Sequence, residues 1–257
     1  MPARKTAAIL AIGDELLSGR TRDANMHHLA GWLTARGVAL LEGRFVPDDE
    51  PAIVEALNAL RRKYDYVFTS GGIGPTHDDI TADAVAAAFG VKAVEHPEGV
   101  RLIEEWYAAR GIEVTPARRR MARMPEGADL IFNPVSGAPG IRIGNVYVMA
   151  GVPRIFQAML EAVEGEIERG AIIHSRAVTA HNLPESMLAE QLRSIQDAVK
   201  GVSIGSYPID GDVKGVTIVA RSDNLAAAAA AVGAVAAAMQ ALGFEPLFED
   251  RKAPAGQ

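Results

Sequence analysis

The sequence has 257 residues and not one cysteine, which removes disulfide bonds, thiolate zinc centres and thiol nucleophiles together and fits a cytoplasmic protein. Aromatic residues are scarce, at 5%, and there is no basic excess: 26 Lys and Arg face 32 Asp and Glu, for a net charge of −6. That balance argues against nucleic acid as the principal ligand. The one basic concentration, Arg118-Arg119-Arg120 with Arg123, is the one patch suited to binding phosphates, with a solvated helix face as its plainer reading. Long apolar runs are also few. The first ends at Ile12, before Gly13-Asp14-Glu15, and is too short for a secretory signal. The second, residues 225–239, is dominated by alanine, which adds little transfer energy, so a packed helix is expected rather than a membrane span.

Hydrophobic residues at 49% and charged residues at 23% are those of a globular protein of one large or two modest domains. Continuous apolar runs bounded by turn residues alternate with helical periodicity. Strands are expected at 6–12, 38–46 and 65–69, and helices at 24–35, after Pro51 and at 82–89. This order predicts a doubly wound, mostly parallel α/β sheet covered by helices on both faces. Further expectations are helices at 97–110, 118–124 and 154–168, a turn-rich loop at 131–140 and a hairpin about Gly144-Asn145. From Ala171 the pattern changes to strand 172–180, helix 184–199, strands 202–206 and 215–220, and an alanine-rich helix. The expected division is an α/β domain over 1–170, a small α+β domain over 171–250 and a loose tail at 251–257.

In doubly wound sheets the ligand lies beyond the carboxyl ends of the strands. Gly13-Asp14, Pro47-Asp48 and Gly71 to Asp79 all fall there, so three Asp-bearing loops are expected to converge. The most informative of them is Thr69-Ser70-Gly71-Gly72-Ile73-Gly74-Pro75-Thr76-His77-Asp78-Asp79-Ile80-Thr81. Its glycines allow positive φ and close backbone approach, and the helix start behind them presents free N–H groups to an anion. Asp78 and Asp79 beside a phosphate call for a divalent cation, magnesium or another, between the charges. Neither Gly-x-Gly-x-x-Gly nor a P-loop is present. The structural alternative is a tight turn with Asp79 or Thr81 capping the helix.

The stretches Gly13-Asp14-Glu15-Leu16-Leu17-Ser18-Gly19, Asp23-Ala24-Asn25 and Asp48, the glycine loop through Thr81, Gly137-Ala138-Pro139-Gly140 and Gly151-Val152-Pro153 resemble the N-terminal part of the CinA (competence/damage-inducible protein A) family. That family is one of the MoaB/Mog-type molybdopterin-binding domains. The resemblance spans nearly the whole chain, Ser206-Tyr207-Pro208 included. It implies a three-layer α/β/α domain that binds molybdopterin or an adenine nucleotide. It also implies metal-dependent pyrophosphatase activity on ADP-ribose, and self-association into a homo-oligomer; a related eukaryotic domain is associated with FAD cleavage. The amidase domain that follows in many members is not expected here. Ala150 replaces a family proline, and Ile73 stands where molybdopterin enzymes usually carry threonine, which leans the reading towards nucleotide hydrolysis.

The residues then take roles. Asp79, Asp78 and Asp48 are the candidate catalytic groups, with Asp79, Asp48 and Asp14 as candidate metal ligands. Gly13, Asp14, Glu15, Asn25, Thr69, Ser70, Gly71, Gly72, Gly74, Pro75, Thr76, Thr81, Gly137, Gly140, Gly151 and Pro153 are the candidate ligand contacts. Asp14, Asp23 and Asp48 have capping as their plainer role, and Asn133 and Ser136 turn formation. His27 and His28, adjacent on a helix, and His96, His174 and His181 lack chelating spacing. Two other readings use the same crevice: molybdopterin binding or adenylylation in cofactor biosynthesis, and a non-catalytic nucleotide sensor. The expected ligand is a nucleotide or a pterin phosphate, with no nucleic acid and no membrane.

Overall fold

Thr6–Ile12 forms β1, and Ala7 to Ile12 are buried on both faces of the strand, which is why the run is continuously apolar instead of alternating. The computed structural model describes residues 4–211 and 213–249. The chain divides between Gly170 and Ala171 into two compact units. The tail expected at 251–257 lies outside the described residues.

In the first unit, β1 is followed by α1 (Asp14–Leu17), α2 (Asn25–Ala35), β2 (Ala39–Val46), α3 (Glu50–Lys63), β3 (Tyr66–Ser70) and α4 (Thr81–Phe89). Then come β4 (Ala93–Glu95), α5 (Pro97–Ala108), α6 (Pro116–Arg120), β5 (Arg123–Pro125), β6 (Asp129–Ile131), β7 (Gly140–Ile143), β8 (Val146–Met149) and α7 (Pro153–Ala162). Side-chain caps set the helix starts. Asp23 Oδ2 accepts the Met26 N–H at 3.0 Å, and Asp49 Oδ1 accepts that of Ala52 at 3.0 Å, with Pro51 in the first turn of α3.

The six-stranded sheet runs β2-β1-β3-β8-β7-β6. β2, β1, β3 and β8 are mutually parallel, while β7 and β6 add an antiparallel margin through the hairpin at Gly144-Asn145. One apolar layer joins Leu10 and Val67 to Ile53 and Leu57 of α3 and to Val85 of α4. The other joins Ile9 and Phe68 to Leu29 and Leu33 of α2 and to Phe156 and Leu160 of α7. The architecture is the expected three-layer α/β/α fold. Phe68 is fully buried, stacked on Tyr147 with ring centroids 5.2 Å apart and edge-on to Trp32 at 6.5 Å. Truncating such a ring to alanine costs about 3–5 kcal/mol. Asn145 ties the amino rim of the sheet: its Nδ2 donates to Arg61 O at 3.0 Å and Tyr64 O at 2.9 Å, and its carbonyl accepts the Val67 N–H at 2.9 Å.

Several boundaries differ from expectation. Residues 118–124 are not one helix: α6 ends at Arg120, and Arg123–Pro125 pairs antiparallel with β4. α7 ends at Ala162, and a single 3-10 turn, Glu164–Glu166, follows where a continuous helix to 168 was expected. The 131–140 stretch is a loop only after Ile131, which closes β6.

In the second unit, β9 (His174–His181), α8 (Ala189–Ala198), β10 (Ser203–Ile209), β11 (Gly215–Ser222), α9 (Leu225–Ala241) and β12 (Leu247–Glu249) build an antiparallel sheet ordered β10-β11-β9-β12. One face packs Val178 and Ile218 against Val232, Val235 and Met239 of α9. Asn224 Oδ1 caps α9 by accepting from Ala226 N at 2.9 Å and Ala227 N at 3.2 Å. The helix expected over 184–199 opens as a 3-10 turn at Glu185–Leu188 and is α-helical only from Ala189. No helix among the described residues is long and apolar enough to cross a membrane.

Candidate functional site

The carboxyl ends of β1, β2, β3 and β8 lie along one edge, and the loops leaving them meet. The Asp14 N–H donates to Asp48 Oδ2 at 3.0 Å, and the Gly13 N–H to Val46 O at 3.2 Å, so the loops after β1 and β2 are joined. The Gly71 N–H donates to Met149 O at 3.1 Å, joining the loops after β3 and β8. Asn25, at the start of α2, donates from Nδ2 to Ser70 Oγ at 2.7 Å and to Gly151 O at 2.8 Å. The convergence expected from the sequence is therefore present, with the loop after β8 as its fourth member.

Close backbone approach explains the glycines. Gly71 has φ +108°, and a Cβ there would stand 2.2 Å from Ile12 O; Gly72 has φ +68°, and a Cβ would stand 2.1 Å from Thr81 Oγ1. Gly151 abuts Gly71, with 3.3 Å from its added Cβ position to Gly71 Cα. The Thr81 hydroxyl donates to Gly71 O at 3.0 Å and its N–H to Gly72 O at 3.0 Å, which pins the loop to the first turn of α4. Neither Asp79 nor Thr81 caps that helix: Ile80 occupies the cap position and makes no side-chain cap. Among the described residues, no acceptor meets the N–H groups of Gly72, Ile73 and Gly74.

The carboxylates fall into two groups. Burial pushes the Asp48 carboxyl above its ordinary value of 3.8; the Asp14 N–H opposes that rise, and the charges of Glu15, Asp14 and Asp78 reinforce it. Asp48 caps no helix, a task left to Asp49, and Asp14 likewise makes no cap for α1. Asp79 is engaged within its own loop. Its Oδ2 accepts the Thr76 N–H at 2.8 Å and the Thr76 hydroxyl at 2.5 Å. One hydroxyl proton serves one carboxylate at a time, and this contact assigns it to Asp79; Asp78, beside the same hydroxyl and its own amide, sits below the ordinary carboxylate value. Asp14, Asp48 and Asp79 thus do not form a closed metal cage, and among the described residues no three His, Cys, Asp or Glu side chains do.

Thr69 is fully buried in β3, and its Oγ1 and the Oδ1 of buried Asn25 are two buried side-chain polar atoms with no partner among the described residues. Pro75 and Thr76 are exposed on the loop, and Pro153 opens α7. Gly137 has a packing role: with φ +76°, a Cβ there would strike the Trp106 side chain at 2.3 Å. Gly140 lies inside β7 against Val148 O, where a Cβ would come within 2.8 Å. Asn133 is buried and forms its turn by accepting from Val135 N at 3.0 Å and donating to Ala138 O at 2.8 Å, as the turn-forming role requires.

The structure places two arginines of the basic patch. Gly72, Ile73, Gly74 and Asp79 line a small cleft whose other wall carries Arg120 and Arg123. The run is a solvated helix face, with Arg119 and Arg120 exposed on α6; what nothing local in the sequence reveals is the β4–β5 pairing beside it and the place of Arg120 and Arg123 at the glycine loop.

A protein family described as a probable molybdopterin binding domain matches residues 8–169. The chain belongs to this family. Beyond that molybdopterin-binding-type domain, residues 173–246 match the family of the FAD synthase middle domain. A protein of Pyrobaculum arsenaticum is 38% identical over 210 residues, covering 79% of each chain. A CinA-like protein of Desulfosudis oleivorans is 35% identical over 209 residues, covering 77% of this chain and 51% of that one. Another, of Gloeobacter violaceus, is 34% identical over 249 residues, covering 92% and 58%. The crystal structure of CinA from Thermoplasma acidophilum, a protein of unknown function, is similar at 33% identity with a TM-score of 0.58, covering 63% of this chain and 97% of that chain. The CinA resemblance and the MoaB/Mog-type fold are thereby shown for this member of the family.

Proposed function

We propose that this protein binds a nucleotide at the glycine-loop edge and hydrolyses a dinucleotide pyrophosphate, ADP-ribose or FAD, with a divalent metal. The observation that carries the reading is the juxtaposition, at one edge, of loop amides without partners among the described residues and the carboxylates of Asp14, Asp48, Asp78 and Asp79. Amides suit phosphate oxygens, and carboxylates alone would repel them. The pairing of a molybdopterin-binding-type domain with an FAD synthase middle-domain match adds support for a dinucleotide over a mononucleotide ligand.

The donor chemistry fits a hard cation. Only oxygen ligands are offered, and magnesium usually takes one or two carboxylates and completes its shell with phosphates and water, so a site short of three protein ligands is consistent with it. Asp79 and Asp48 would hold the metal, which would supply charge neutralisation at the phosphoryl oxygens. The amides of Gly72 to Gly74 hold one phosphate, and Thr76 keeps Asp79 oriented. Water adds to one phosphorus, the bridging P–O bond breaks, and the bridging oxygen leaves on the other phosphate; from ADP-ribose the products are AMP and ribose 5-phosphate, with two protons released.

Incubation with ADP-ribose, FAD and NAD, with and without magnesium, manganese or cobalt, tests this by chromatography of AMP. AMP that needs metal and disappears in Asp79→Ala supports hydrolysis. Absence of AMP from every substrate removes that reading. Molybdopterin binding or adenylylation then stands first, as the match over residues 8–169 favours it, with tight binding of a pterin phosphate as its signature.

A further inference from the structure

Of the four arginines at 118–120 and 123, Arg120 and Arg123 line the cleft of the glycine loop, and all but Arg120 are engaged. Arg118 lies over the Tyr107 ring, 4.7 Å from its centroid, and donates to Glu113 O. Arg119 donates to Glu95 at 2.8 Å and to Glu104 at 3.0 Å. Arg123 grips Asp83 at 2.7 Å. Arg120 is exposed and, among the described residues, makes no hydrogen bond, ion pair or ring contact, although it lines the same cleft as Asp79 and Asp83.

The cleft therefore has one guanidinium whose charge is unanswered. Asp83 is answered by Arg123, and Asp79 is partly satisfied by two hydrogen bonds from Thr76. Gly72, Ile73 and Gly74 line the same cleft, and their N–H groups also lack acceptors among the described residues. A cation and a set of amides around one cleft share a single complementary partner, an anion with several acceptor oxygens. The platform is fixed: Thr115 Oγ1 caps α6 by accepting the Arg118 N–H at 3.3 Å, and Met121 and Ala122, next in the chain, pack against Val100 and Ile103 of α5.

We propose that Arg120 is the ligand-gripping cation of this cleft, its guanidinium holding a phosphate oxygen of the nucleotide whose other oxygens rest on the Gly72–Gly74 amides. The choice of a nucleotide rests on the function proposed above. The role belongs to Arg120 alone of the run, because its neighbours are committed elsewhere.

The test is calorimetric titration of the full chain with ADP-ribose and with ADP at fixed magnesium, alongside AMP release. Arg120→Gln is expected to weaken both ligands about 10-fold or more, the scale of losing one charge-assisted hydrogen bond. Arg120→Lys recovers part of the affinity as a point charge without the planar fork, and Arg119→Gln binds as the parent does. Because Arg120 is exposed and unbonded, its variants keep the parent's thermal midpoint. Parent-like affinity in Arg120→Gln overturns the assignment while leaving hydrolysis standing. Failure of the parent to bind either ligand overturns both. Arg120-dependent binding without AMP release removes hydrolysis and keeps Arg120.

Discussion

The side-chain amide of Asn25 donates to Ser70 Oγ at 2.7 Å, across 45 residues of sequence. With the second bond to Gly151 O, one buried side chain fastens the start of α2 to the loops after β3 and β8. Removing it leaves the buried Ser70 Oγ and the part-buried Gly151 O without their donor. Asn25→Ala is expected to lose about 2–3 kcal/mol of stability. Asn25→Asp fares no better, because a carboxylate cannot donate to Gly151 O. Both tryptophans, Trp32 and Trp106, lie in the first unit, so fluorescence during urea unfolding reads that unit directly. Parent-like midpoints in both variants would remove Asn25 from this role.

The pH dependence of Asp48 has a definite sign. Its carboxyl is raised above 3.8, mainly by burial, so the folded state holds its proton more tightly than the unfolded chain does. The associated stabilisation is present below the ordinary value and is lost as pH rises through the raised value. Asp48→Asn keeps an acceptor for the Asp14 N–H and removes the charge. It is expected to stabilise the first unit by about 0.5 kcal/mol at neutral pH, discounted for partial exposure, with no gain below the ordinary value. Thermal melts across that range in the absence of divalent metal check it; a gain that persists in acid contradicts the electrostatic origin.

Gly72→Ala places a methyl at 2.1 Å from Thr81 Oγ1 on a backbone at φ +68°. A loss of about 2–3 kcal/mol is expected, together with weaker nucleotide binding. Gly19 has φ +74° with nothing near its added Cβ, so Gly19→Ala carries backbone strain alone, about 1 kcal/mol. Equal thermal shifts in the two variants would show that the close approach at Gly72 has no energetic weight.

Thr76 positions Asp79 with its N–H and its hydroxyl. Thr76→Val keeps the first bond only and is expected to lower kcat about 10-fold with a smaller effect on KM, while Thr76→Ser restores it. A change confined to KM would assign Thr76 to binding instead.

The sequence revealed most where one chain segment decides the outcome. β1 was legible because both its faces are buried, and α3 because Asp49 and Pro51 mark its start. The three-residue strands β4, β5, β6 and β12 were not, since their identity rests on partners up to 68 residues away, as Leu247 lies opposite Thr179. The same non-local pairing hid the position of Arg120 beside the glycine loop. Asp48 and Asp14 were legible as neighbours because both follow parallel adjacent strands. That Thr76 holds Asp79 with its N–H and hydroxyl depends on the fold of a glycine-rich turn, which residue types alone do not fix.

Asn145 gives the sheet a division of labour. By binding Arg61, Tyr64 and Val67 at the amino rim, it locks β8 to β3 at the end opposite the ligand loops. The cohesion of the parallel strands is thus anchored where no chemistry is expected. The carboxyl-end loops can exchange side chains, and the substrates they recognise can diverge, without loosening the joint on which the sheet depends.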